Sequence, residues 1–143
     1  MKLKLFTLLF MLSAMACKAQ EVVYEEEEFP IYEIVGNDTI YLVVEEQPIF
    51  PDGGLNKLFE YLGNKLVYPE IVINKGIEGR FIVNFIIDTD GKMRNYTIQK
   101  SLHPDLDNEV IRVLKSVPHR WTPGRHNGKT VKVKYTLPIN IYP

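Results

Sequence analysis

Residues 129–143 read KTVKVKYTLPINIYP. In this stretch Val131, Val133, Tyr135, Leu137, Ile139 and Ile141 alternate with Lys132, Lys134, Thr136, Pro138 and Asn140. Side chains of a strand point to opposite faces in turn, so the spacing predicts a strand with one buried face and one wet face. Pro138 keeps to this alternation but has no N–H to offer a neighbour. A sheet accommodates proline where its nitrogen faces away from the paired strand. The segment is therefore expected to be fully paired along one flank only.

The segments upstream supply what this strand packs against. Gly79–Asp88, GRFIVNFIID, is apolar on both faces, with Phe81, Val83, Phe85 and Ile87 on one and Ile82 and Ile86 on the other. Such a run predicts a central strand. Asp90-Gly91 then signals a tight turn into a second, more polar strand, Met93–Ser101. Leu55, Leu58, Phe59, Leu62 and Leu66 recur at helical spacing and predict a first amphipathic helix stopping near Gly63, ahead of Tyr68-Pro69. A second helix opens at His103-Pro104-Asp105, buries Leu106, Val110, Val113, Leu114 and Val117, and ends at Pro118. A loop through Trp121-Thr122-Pro123-Gly124 and Asn127-Gly128 leads back to the last strand. Helix, strand, strand, helix, strand, with the helices on one face, is a two-layer α+β arrangement. Periodicity leaves the strand directions open.

The chain has 143 residues, enough for one ordinary domain, and a globular composition: 45% hydrophobic and 24% charged. The net charge of −1 conceals an uneven distribution. Gln20–Gln47 holds nine acidic residues and no Lys or Arg, giving −9, whereas Pro48–Pro143 holds 14 Lys/Arg against nine Asp/Glu, giving +5. The basic residues are scattered rather than arranged in a stripe with aromatics, which argues against nucleic-acid binding. Three regions follow: residues 1–19 as an export signal, 20–47 as an acidic arm, and 48–143 as the folded domain.

The signal carries two lysines before an apolar run from Leu5 to Ala16, shorter than the roughly 18 residues a spanning helix needs. Ala14-Met15-Ala16 before Cys17 resembles a lipoprotein cleavage site that would leave Cys17 lipidated, although Ala14 stands where Leu is usual. Ordinary cleavage after Ala19 is the alternative. Either way Cys17 is the only cysteine, so an internal disulfide is excluded. Glu21–Glu28 reads as a solvated, self-repelling arm. IYEIVGNDTIYLVV then offers two extended runs around Gly36-Asn37-Asp38, the pattern of a hairpin.

Asp88-Thr89-Asp90-Gly91 starts like a calcium loop, but Lys92, Met93 and Arg94 stand where further ligands belong, so it is read as a turn. Asp105, Asp107 and Glu109 fall at the start of a helix, where acids suit the dipole and the free N–H groups. His103, His119 and His126 lack metal-ligand spacing, and Ser101 near His103 is not a nucleophile–base pair on sequence proximity alone. Trp121 and Tyr68 are read as core plugs rather than recognition aromatics. No catalytic set remains, so the chain is expected not to be an enzyme and to carry no cofactor or metal.

EEQPIFPDGGLNKLFEYLGNKLVYP, GIEGRFIVNFIIDTDGKM, LDNEVIRVLKSV and WTPGRHNGKTVKVKYTLPINI, in this order, resemble the TonB C-terminal domain family, in the variant common in Bacteroidetes-type envelopes. The likeness runs from about Glu45 to Ile141. It implies a periplasmic domain with two helices on one face of a three-stranded antiparallel sheet. It also implies that the last strand is an open edge, to which a short extended peptide of an outer-membrane transporter adds while an inner-membrane motor complex pulls. Carried over by position, the edge is Val131–Ile141, with Val131, Lys132, Val133, Lys134, Tyr135 and Thr136 as the peptide-binding residues. Glu46, Gln47 and Pro48 form the lead-in near the docking face. Lys132 and Lys134 favour an acidic peptide and equally serve as charges that block aggregation. The family's transducers keep a membrane helix and a proline-rich spacer, whereas here residues 1–19 read as a cleavable signal, with an uncleaved inner-membrane anchor as the alternative, and the spacer is a short acidic arm. That departure puts force transmission in doubt and leaves peptide capture untouched. The acidic arm is either a solvated spacer or a regulator lying across the basic domain. The rival to peptide capture is an accessory envelope protein that forms homodimers through its edge strand.

Overall fold

The structure, a computed structural model, describes residues 31–143. Residues 1–19, read from sequence as an export signal, with Cys17 among them, and the first part of the acidic arm lie outside the described residues. In chain order the elements are β1 (Tyr32–Val35), β2 (Asp38–Tyr41), α1 (Leu55–Lys65), α2 (Glu70–Asn74), β3 (Gly79–Ile87), β4 (Met93–Lys100), α3 (Pro104–Lys115), β5 (Arg125–His126), β6 (Lys129–Thr130) and β7 (Lys132–Ile141). The fold is α+β, as the order of helical and alternating segments predicts.

β3 is the centre of the sheet. It pairs antiparallel with β7 from Gly79↔Ile141 to Ile87↔Val133, and with β4 on its other side. Phe81, Val83, Phe85 and Ile87 of β3 and Leu137, Ile139 and Ile141 of β7 form one buried layer. Against it pack Leu58 and Leu62 of α1, Val72 of α2, and Leu106, Val110, Val113 and Leu114 of α3. The alternation in β3 and β7 thus marks the face that the helices cover.

The sheet departs from the expected three antiparallel strands. It has five, in the order β1-β2-β7-β3-β4. The hairpin β1–β2 turns through Gly36, whose φ of 64° is the positive value a two-residue hairpin loop requires. It joins the sheet by a parallel contact, Ile40↔Lys132 and Tyr41↔Val133. Periodicity reports which face of a strand is dry, not which strand lies beside it, so this pairing between segments far apart in the chain was outside its reach. Asn127 and Gly128, both at positive φ, close the small β5–β6 hairpin.

There are also three helices rather than two among the described residues. α1 does not stop at Gly63 but runs on to Lys65, where Leu66 N–H still reaches Leu62 O. The surroundings hold that last turn. Glu109 of α3 accepts the Val67 N–H at 2.9 Å, and Arg112 reaches the Lys65 carbonyl. Tyr68-Pro69 then breaks the helix and starts the short α2, with Pro69 at its N-cap. α3 begins as expected, with the His103 Nδ1 accepting the Asp105 N–H and Pro104 in the first turn.

Trp121 is a core plug. It is buried against Phe50, Phe85 and Tyr135, with ring centroids 5.3, 5.9 and 4.9 Å away. Its backbone N–H donates to the Gly91 carbonyl at 2.9 Å, and a Cβ on Gly91 would collide with the Trp121 carbonyl oxygen. The Asp90-Gly91 turn therefore fixes the plug as well as reversing the chain.

Candidate peptide-docking edge

β7 has β3 on one flank and β2 on the other, and β2 covers only its first residues. Among the described residues no strand lies along the outer flank beyond Val133. In an antiparallel ladder, alternate residues exchange both N–H···O bonds with the partner strand, and the residues between them turn their backbone groups outward. Pro138 is opposite Ile82. Having no N–H, it can occupy only an outward position. Its parity assigns Lys134, Thr136 and Asn140 to the outer flank, and Val133, Tyr135, Leu137, Ile139 and Ile141 to the β3 ladder. The Thr136 and Asn140 N–H groups and the Thr136, Pro138 and Asn140 carbonyls are the groups an added strand would meet.

The side chains at the six positions assigned from sequence divide by face. Val131 precedes the strand, its N–H donating to Gly124 O at 3.0 Å. Val133 is buried. Tyr135 is half-buried and stacks on Phe85 at 5.6 Å, and burial raises its phenol pKa. On the other face, Thr136 Oγ1 donates to Asn84 Oδ1 at 2.8 Å. The two lysines are not free. Lys132 Nζ is 2.8 Å from Asp38, and Lys134 Nζ is 3.4 Å from Glu33, both acids lying on the β1–β2 hairpin. The hydrogen bond to Asp38 raises the Lys132 pKa against a small opposing effect of burial. Ile40 of β2, only 4% exposed, sits on the same face as Lys132 and anchors the hairpin. Tyr41 packs against His126 on the opposite face, with the rings tilted and their centroids 5.0 Å apart.

Glu46, Gln47 and Pro48 lie beside the loop that precedes β7. Glu46 exchanges backbone hydrogen bonds with Arg125, of 3.1 and 2.9 Å, and Pro48 is buried near Gly124. They brace the start of the strand from behind.

Other polar clusters have structural duties. Asp88 and Asp90 each meet Arg94 at 2.9 Å and accept the Thr89 and Lys92 N–H groups, so the calcium-like stretch is a braced turn. Partial burial opposes ionisation of Asp88, but the Thr89 N–H and Arg94 outweigh it and lower the pKa. Glu109 is likewise lowered, first by Arg112 and then by the Val67 N–H. Asp107 accepts the Ser101 hydroxyl at 2.8 Å, so Ser101 bonds to the first turn of α3 rather than to the His103 side chain. Among the described residues no three His, Cys, Asp or Glu side chains gather to hold a metal, and no helix is long and apolar enough to cross a membrane.

What sequence reasoning missed is the surface beside β7. α1 buries Leu58 and Leu62 but leaves Phe59 and Leu55 more than a third exposed. Phe59, Leu62, Leu66, Tyr68, Ile139 and Ile141 line an open groove of about 320 Å³ between α1 and the second half of β7. The available signal was an apolar stripe on α1 wider than two core positions need.

The chain belongs to the family of Gram-negative bacterial TonB protein C-terminal domains, whose model matches residues 64–141. It is therefore a protein-interaction domain of TonB-type envelope transport, in a family that meets outer-membrane receptors and is not one of enzymes. Proteins of this family are found in the periplasm and envelope. Among solved structures the chain is similar to the C-terminal domain of TonB from Helicobacter pylori, with 24% identity over 59% of this chain and 90% of that one, at a TM-score of 0.43. It is also similar to that of Pseudomonas aeruginosa, with 29% identity over 53% and 78% of the two chains and a TM-score of 0.37. No curated protein matches.

Proposed function

We propose that this domain captures extended segments of outer-membrane transporters or other envelope proteins by strand addition to the outer flank of β7, beyond Val133. The observation that carries the reading is the β2–β7 contact: the flank already takes a strand where the protein supplies one, and among the described residues the same backbone groups continue without one. Each added hydrogen bond contributes about 0.5–1.5 kcal/mol net, so four or five give an affinity near the millimolar range, suited to a transient partner. Specificity then comes from side chains. The region 48–143 is the binding unit in this reading, with 1–19 serving export or, through Cys17, lipid anchoring. Engagement with an inner-membrane motor is a further step, open to a chain that keeps an anchor.

The test is amide hydrogen exchange with synthetic peptides copying the periplasmic ends of outer-membrane receptors. Slower exchange at Thr136 and Asn140, with β3 unchanged, is the expected result. No change there with any such peptide at millimolar concentration overturns the reading.

Self-association is the second reading, and one observation favours it. β1 is a terminal strand of the sheet, with β4 at the opposite end, and it exposes Tyr32, Ile34 and Val35. Light scattering across concentration distinguishes the two: a dimer abolished by Ile34→Lys supports pairing through β1.

A further inference from the structure

We infer that the guest strand is selected by a large apolar side chain seated in the groove between α1 and β7, and not by acidic residues. This rests on the strand-addition reading and specifies its ligand.

Three observations carry it. The first is that the cationic part of the edge is occupied. Lys132 and Lys134 are paired with Asp38 and Glu33, and β2 covers the backbone at Lys132 and Val133. An incoming acid would meet carboxylates already in place. The second is that the open part of the flank runs beside the groove, since Pro138, Ile139, Asn140 and Ile141 line it together with residues of α1. No charged side chain is among its lining residues. The third is parity. Directly opposed residues of paired strands point to the same face, so the guest residue opposite Ile139 projects to the helix side, against Phe59, Leu66 and Tyr68. The exposure of Phe59, which the monomer leaves unexplained, follows from this arrangement. The occupant is thus an extended segment with Leu, Ile, Val or Phe at that position. Its neighbours on either side face solvent and can be polar.

The test uses capped octapeptides of alternating threonine and valine in which one central position is Leu, Ser or Asp, titrated into the full chain and followed by amide chemical shifts. The expected order is Leu tighter than Ser by roughly tenfold, with Asp weakest, because burying a few carbons in an apolar pocket separates ligands by about that factor. Phe59→Ser is expected to lower the urea midpoint only modestly, because the side chain is more than a third exposed and lies outside the buried core cluster, and to erase the Leu preference while Thr136 protection persists. A preference for Asp overturns the inference, as does a Leu preference that survives Phe59→Ser; in both cases protection at Thr136 leaves strand addition standing. No protection at Thr136 with any peptide overturns both.

Discussion

Proline substitution along β7 separates the two flanks of the strand more sharply than any side-chain change. Leu137 lies opposite Val83 and belongs to the residues whose N–H enters the β3 ladder, whereas Thr136 belongs to those facing outward. Proline at 137 removes a ladder donor, strands a buried carbonyl of β3 and forces its ring against that strand. The expected cost is about 3 kcal/mol or more beyond side-chain loss. Proline at 136 removes an N–H that has no strand beside it. Its φ restriction is partly offset by the lower entropy of the unfolded chain, so the net change is about 1 kcal/mol or less. Side-chain loss cancels when each proline variant is compared with alanine at the same site, including loss of the Leu137 core packing and of the Thr136–Asn84 bond. Urea unfolding followed by the fluorescence of Trp121, the single tryptophan, measures both differences. Thr136→Pro is also expected to weaken peptide capture by about tenfold, since the guest loses a donor and meets a ring. Equal proline-minus-alanine penalties at 136 and 137, or a larger one at 136, refute the assignment of flanks and with it the docking edge.

Gly91→Ala is expected to cost about 3 kcal/mol or more, because a side chain at φ 80° is strained and its Cβ collides with the Trp121 carbonyl. Gly76→Ala, at φ 59° with open space around it, loses only about 1 kcal/mol, and paired urea curves compare the two. The pKa values of Glu109 and Asp88 are lowered from the ordinary carboxylate values, so their contribution is complete only above about pH 5 and is lost as pH falls through the unfolded and then the folded-state values. Urea midpoints measured from neutral to acid pH should fall in that window, and less steeply in Glu109→Gln. Ile40→Ala should release the hairpin and speed exchange at Lys132 and Lys134, whose N–H groups face β2, whereas Asp38→Asn with Glu33→Gln should change it little, because exposed ion pairs contribute weakly.

The sequence by itself determined which faces are dry. The alternation in Val131–Ile141, the two-faced apolar run Phe81–Ile87 and the stripe Leu106–Leu114 each correspond to a buried set, because pleat and helix pitch convert burial into a local period. Pro138 went further and fixed the orientation of the backbone, since a missing donor is written directly in the residue type. Tertiary structure alone decided what stands beside each element. The α1 helix passes Gly63 because Glu109 and Arg112, far along the chain, receive its end. Lys132 and Lys134 look like free cations until β1–β2 folds across to neutralise them. The apolar groove exists only once α1 is laid next to β7. Lateral neighbours are chosen by contacts between distant segments, and no window of sequence short enough to show a period contains both partners.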